Sequence, residues 1–146
     1  DDVESRGLGD VYKRQVQILK GQEFVPMDSV ERIVTRDELI GLQDKARTLS
    51  VHDSIFDYIV TLVEATRESE LFSMGASPRG ANALLRMSRA MAVLSGREYV
   101  VPGDIAEVFN DVLGHRVKLA ARARANGMTV AEALDEVRSQ VKVPRT

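Results

Sequence analysis

Apolar residues recur along most of the chain at the three-to-four spacing of amphipathic helices, and almost nowhere at the alternation of a strand. Ile55, Ile59, Leu62, Val63 and Thr66 keep that helical spacing, with Phe56 and Val60 widening the face. Asp53 or Ser54 is placed to cap this helix, which should end near Arg67. A second stripe runs through Ala81, Leu84, Leu85, Ser88, Met91 and Ala92, and its ends are punctuated. Ser77 suits an N-cap, Pro78 the first helical position, and Gly96 a left-handed residue just past the end. Three weaker stripes predict further helices. "TRDE" at 35–38 is a capping box ahead of Leu39, Leu42 and Ala46, which places a helix over 36–48. Pro102 and Asp104 open one through Ile105, Val108, Phe109 and Val112, and "TVAE" at 129–132 opens one through Leu134 and Val137.

Between the stripes the pattern breaks. Residues 1–15 are polar and lack a period, so a loop or disorder is expected there; "GLGDVYKRQ" also resembles translated adapter sequence, which would make the segment non-native. Residues 16–34 read as an irregular or partly extended connector broken by Gly21 and Pro26, and "RESELFSMGAS" as a loop. "REYVV" is short enough only for a small strand or extended link, and "VKVPRT" for an extended tail. "GHRVKLAARARANGM" is ambiguous up to a firm stop at Asn126-Gly127. The expected fold is all-α, a small helical bundle with short extended connectors.

Composition narrows this picture. Aromatic residues are 5% with no Trp, so the core must come from Leu, Val, Ile, Ala and Met, which suits packed helices. A net charge of -2 argues against a nucleic-acid or anionic-membrane partner, so any anion site must be local. Without Cys there is no thiol nucleophile or Cys-based zinc site. His52 and His115 lie far apart outside any HExxH, so no metal site is expected. No apolar run is long enough to span a bilayer and no signal peptide is visible, which makes a cytoplasmic location the expectation.

One position stands against its local field. Arg79 sits two residues inside a helix start, where open N–H groups and the helix dipole disfavour a positive charge by a few tenths to about 1 kcal/mol. Arg79, Arg86 and Arg89 lie within about a quarter turn of one another at about 100° per residue. From Leu71 to Arg97 there are four arginines and no acid. A bound oxyanion would reverse the sign of the end effect, accepting the free N–H groups and a forked bond from the guanidinium. The residues alone leave two readings open, an anion site or a solvated arginine stripe.

"DYIVTLVEATRE", "GASPR", "LLR" with its Ala-rich helix, "GREYVVPGDI" and "VLGHR" occur in order, and "TVAEALDEVRSQVKVP" closes the chain. Together they resemble the C-terminal lid of the MoxR-type AAA+ ATPases, from about Val16 to Pro144 and most securely from Asp57 to Val117. The resemblance implies a helical lid over 51–146, joined by a connector and first helix over 16–50 to an ATPase core absent from this chain. It implies that Arg79 is the sensor 2 arginine, the catalytic contribution of the lid. In that role Arg79 reaches the γ-phosphate of ATP, with Ala76, Ser77 and Pro78 as nucleotide-binding neighbours and magnesium held by the core. It further implies coupling of nucleotide state to a hexameric ring, contacts with the core and neighbouring subunits, and remodelling of a client, often a von Willebrand A domain protein. Arg86 and Arg89 inherit no role and are read as surface or inter-subunit residues.

Two departures matter. Val101 stands where the family commonly has Thr, so that helix start should lose about 1 kcal/mol of capping, and Asp104 must help. None of Lys13, Lys20, Lys45, Lys118 and Lys142 follows Gly, and no apolar strand ends in Asp-Glu, so this chain carries neither Walker motif and should not hydrolyse ATP by itself.

The remaining constellations carry less. His115, Arg116, Lys118, Arg122 and Arg124 lack interleaved aromatics and have Glu107 and Asp111 nearby, which reads as a solvated face; His115 reads as a packed or capping residue. Asp53 and Asp57 read as cap and surface. The alternative function is a free-standing helical protein- or DNA-interaction module, which the net charge disfavours for DNA.

Overall fold

A computed structural model describes residues 30–145 and, before them, 12, 13, 15, 16 and 18–20. The chain divides into two units between Thr35 and Arg36. In the first, Tyr12, Lys13, Gln15, Val16, Ile18 and Leu19 have helical backbone, and the Lys20 N–H donates to the Val16 carbonyl at 3.0 Å. A loop and an irregular connector are expected over this stretch; at the described positions the backbone is helical instead, and no Gly or Pro stands among them. Residues 1–11, 14, 17 and 21–29, on which the rest of the disorder or non-native expectation and most of the connector expectation fall, lie outside the described residues.

The second unit is mostly helical. Its elements are α1 (Arg36–Thr48), α2 (Asp53–Glu68), β1 (Phe72–Met74), α3 (Pro78–Leu94), α4 (Pro102–Leu113), β2 (Lys118–Leu119), α5 (Ala121–Ala125) and α6 (Val130–Gln140). The core is built where α2, α3, α4 and α6 meet, with Ile55, Leu62, Leu84, Ile105, Phe109, Leu113 and Leu134 fully buried. α3 buries Gly80, Leu84, Ser88 and Ala92, one residue per turn at i,i+4. Three of these four are small, so a neighbouring helix can lie close along that ridge. α4 is the helix most intimately packed on α3. The buried Ser88 hydroxyl donates to the Leu84 carbonyl at 2.9 Å, which keeps it satisfied inside the core.

Local signals account for most helix ends. Thr129 and Glu132 form the reciprocal capping box, with bonds of 3.2 and 2.7 Å. Gly96 and Gly127 take φ of 71° and 79° past the ends of α3 and α5, a region open to Gly at little cost. At α2 the cap is His52, not Asp53 or Ser54. Its backbone is extended and its Nδ1 accepts the Ser54 N–H at 3.2 Å, leaving Asp53 as a first-turn acid.

Three further expectations change. Phe56 and Val60 do not widen the buried face of α2 but stand 39% and 49% exposed. α1 packs on α3 yet buries none of its residues, because one neighbour covers only the edge of its apolar stripe. Within the expected loop, β1 pairs antiparallel with β2, Phe72 opposite Leu119, both side chains buried. The Ser73 hydroxyl is placed to donate to Lys118 and Leu119 carbonyls at 3.2 Å. "REYVV" is an extended link with one parallel bridge, Ser50 to Tyr99.

Candidate functional site

The turn that carries Arg79 is built on the last turn of α2. Thr66 is buried in the apolar stripe of that helix, and its hydroxyl donates to the Val63 carbonyl at 2.7 Å while accepting the Ala76 N–H at 2.9 Å. The adjacent Arg67 donates from Nε to the Ala76 carbonyl at 2.6 Å. Both polar groups of one peptide residue are thus fastened to consecutive residues of one helix. Gly75 makes this approach feasible. A Cβ added there would lie 2.6 Å from the Arg67 Cα, the Arg67 N and the Thr66 O, all backbone atoms.

From this anchor the chain turns straight into α3. Ala76 is completely buried, so it holds the turn in place, whereas Ser77, Pro78 and Arg79 are exposed. The Ser77 carbonyl accepts the Gly80 N–H at 2.7 Å, but its hydroxyl caps no first-turn N–H. Gly80 seats the turn from below: a Cβ there would meet Leu113 Cδ2 at 3.3 Å and Ala76 Cβ at 3.4 Å. Arg79 makes no ion pair or hydrogen bond among the described residues. The end effect that disfavours this cation is therefore not relieved by any described carboxylate. What stands at the head of α3 is an exposed guanidinium beside uncapped amides on a rigid base, which suits an oxyanion arriving from outside this unit.

The other arginines of the acid-free run separate from it. Arg97 binds the 2%-exposed Asp104, Nη1 to Oδ2 at 2.7 Å and Nη2 to Oδ1 as a second prong, and that bond raises the guanidinium pKa above its ordinary value. Asp104 Oδ2 also accepts the Val101 N–H at 2.9 Å, supplying the help that a Val at the cap position requires. Arg86 and Arg89 line a cleft with Arg47, Gln43 and Ala46 of α1. His115 neither packs nor caps: it is exposed, its ring beside the Arg116 guanidinium. Among the described residues no cluster of His, Cys, Asp or Glu could hold a metal ion, and no helix is long and apolar enough to cross a membrane.

Sequence reasoning missed Thr66 and Arg67 as parts of this site. A signal existed, since a hydroxyl on an otherwise apolar stripe needs a buried partner.

Residues 64–137 match the AAA lid domain family. The uncharacterised protein YeaC of Bacillus subtilis (strain 168) is 34% identical over 134 residues, covering 91% of this chain and 42% of that protein. Chaperone MoxR1 of Mycobacterium tuberculosis (strain ATCC 25618 / H37Rv) is 34% identical over 124 residues, covering 79% of this chain and 33% of the relative. The crystal structure of a candidate ATPase from Cytophaga hutchinsonii (ATCC 33406) superposes with a TM-score of 0.73 at 26% identity, over 91% of this chain and 43% of that one. The chain thus spans less than half the length of these relatives.

Proposed function

The chain belongs to the AAA lid domain family, and from that premise we propose that it is the nucleotide-sensing lid of a MoxR-type ATPase, with Arg79 as its sensor 2 arginine. The carrying observation is the placement of Arg79: exposed, unpaired among the described residues, at the uncapped head of α3, on a turn clamped by Thr66 and Arg67. These residues fit a terminal phosphate. The guanidinium and the first-turn amides would hold its oxygens, Ser77 and Pro78 would border it, and buried Ala76 would fix their position. ATP supplies the phosphoryl group whose charge this end of the lid would recognise. In the family resemblance magnesium would be held by residues of the core domain.

In this reading the lid closes on ATP held by the core of the same subunit, in the cytoplasm. The changed lid angle is passed to neighbouring subunits of a ring, hexameric in the family resemblance, and from there to a client such as a von Willebrand A domain protein.

The test is Arg79→Ala, with Arg79→Lys beside it, in the ATPase that contains both this lid and its P-loop core. Arg79→Ala should lower ATP turnover by about 100-fold, the scale seen when one transition-state charge contact is lost. The melting temperature should not fall, and should rise slightly as the unfavourable helix-end charge is removed, because Arg79 makes no hydrogen bond or ion pair among the described residues. Lysine should restore little, since it lacks the fork. Unchanged turnover in Arg79→Ala would refute the role.

A further inference from the structure

α1 and α3 together form a second cationic feature, remote from the phosphate site. Arg86 and Arg89, one turn apart on α3, meet Arg47 from the last turn of α1 in a cleft of about 460 Å³ that Gln43 and Ala46 complete. The described acid beside it is Asp44, paired with Arg47 at 3.3 Å in an exposed contact that contributes little. Three guanidiniums therefore face one weakly held carboxylate. Arg89 brings an unsatisfied donor: its Nε is shielded from water and meets no acceptor among the described residues. A carboxylate entering the cleft would give that donor an acceptor, which a buried polar group requires.

The chain also carries the complementary surface. Asp53, Asp57, Glu64 and Glu68 fall within about 60° of one another on α2 at about 100° per residue. All four are exposed, and none is ion-paired among the described residues. Of the bases near this ridge, Lys142 lies by Asp57 in the cleft beside the tail, and Arg67 is engaged by Ala76. Neither Glu64 nor Glu68 is ion-paired among the described residues; Arg67, between them in sequence, keeps its charge but spends its Nε on the Ala76 carbonyl. Glu64 and Glu68 are four residues apart and Arg86 and Arg89 three, so each pair springs from neighbouring turns of one helix face, with Cβ atoms about 5–6 Å apart. Apolar residues flank both surfaces: Val60, 49% exposed, beside the ridge, and Leu39 and Leu42, 46% and 42% exposed, on the helix face that holds Ala46.

We propose that the arginine cleft of one copy of this chain receives the acidic ridge of α2 from a second copy. The contact joins two different patches, so it is heterologous and builds a ring when the rotation closes. It gives residues to the ring assembly put forward above and rests on that reading only for the presence of more than one copy.

The experiment is sedimentation velocity on the 146-residue chain across a concentration series, without nucleotide. Wild type should self-associate at low salt and dissociate near 1 M salt, where the screening length is about 3 Å. Arg47→Glu with Arg86→Glu, and separately Glu64→Arg with Glu68→Arg, should each weaken association by about tenfold or more. These residues are exposed, so circular dichroism should show both variants folded. An equimolar mixture of the two should associate again, because each supplies the charge the other has lost. Three results would overturn the proposal: a wild type that stays monomeric at low salt, either variant associating like wild type, or a mixture that fails to recover. Titration with inorganic phosphate is the remaining arm. Arginine side-chain resonances of the cleft that shift with phosphate while the chain stays monomeric would identify a small-anion site instead. The readout involves neither ATP nor Arg79, so either proposal can fail without the other.

Discussion

Replacing Gly75 by Ala adds one carbon where the structure has no room for it. The new Cβ would stand 2.6 Å from three backbone atoms of α2, and backbone, unlike a side-chain tip, cannot swing aside. The φ of Gly75 is not in the left-handed region, so the effect is steric and not conformational. Overpacking a close-packed site costs about 1–3 kcal/mol. If the turn retreats to relieve the clash, it gives up the 2.9 Å bond between the Ala76 N–H and Thr66. That adds about 1 kcal/mol, for a total of about 2–4 kcal/mol. A domain near 100 residues loses roughly 4–8 °C per kcal/mol, so the thermal midpoint should fall by at least about 8 °C. Gly41→Ala is the internal control. It lies mid-helix in α1 with nothing within 4 Å of its added Cβ, so the same substitution should stabilise by about 0.5–1 kcal/mol. Thermal and urea unfolding followed by circular dichroism measure both. A Gly75→Ala protein that melts with wild type, or shifts no more than Gly41→Ala, would show that the turn does not rest on α2 as described.

Arg97→Ala should destabilise by about 2 kcal/mol, below the roughly 3–5 of a fully buried pair because Arg97 is 29% exposed, and Asp104 would be left buried without its cation. Adding Asp104→Asn should recover part of that loss, and urea midpoints of the two proteins decide it; no recovery would refute the ion-pair argument. Acid should act through α6. Glu132, accepting the Thr129 N–H and then its hydroxyl, and Asp135, bonded by Arg138 and then Asn110, titrate below their ordinary values of 4.5 and 3.8. A carboxyl lowered in the folded state contributes stability above its unfolded pKa and loses it as pH falls through the folded one. The melting temperature should therefore be insensitive to these two groups above about pH 5 and fall below pH 4.5, less steeply in Glu132→Gln with Asp135→Asn. Equal slopes in both proteins would contradict this.

What was legible in the sequence was what is decided within a few residues. The Thr129–Glu132 box, Pro78 and Pro102 at helix starts, and Gly96 and Gly127 past helix ends are local signals, and the helices begin and stop where those residues require. Arg79 was visible for the same reason, since its position inside a helix start follows from Ser77 and Pro78 alone. Contacts across the chain were not legible. β1 is three residues long and exists because β2, more than forty residues on, completes its ladder. Arg97 looked like one more cation of an acid-free run until the link after α3 brought Asp104 to it. Phe56 and Val60 fit the helical period of α2, yet a period tells which face is apolar and not how wide its cover is.

The double fastening of Ala76 to Thr66 and Arg67 has a mechanical corollary. A residue gripped by both its amide and its carbonyl leaves the turn no slack. Force applied to the guanidinium three residues later cannot be dissipated by flexing of a loop. A pull there would act on α2 and α3 together, because the residue that joins them is bonded through both its amide and its carbonyl.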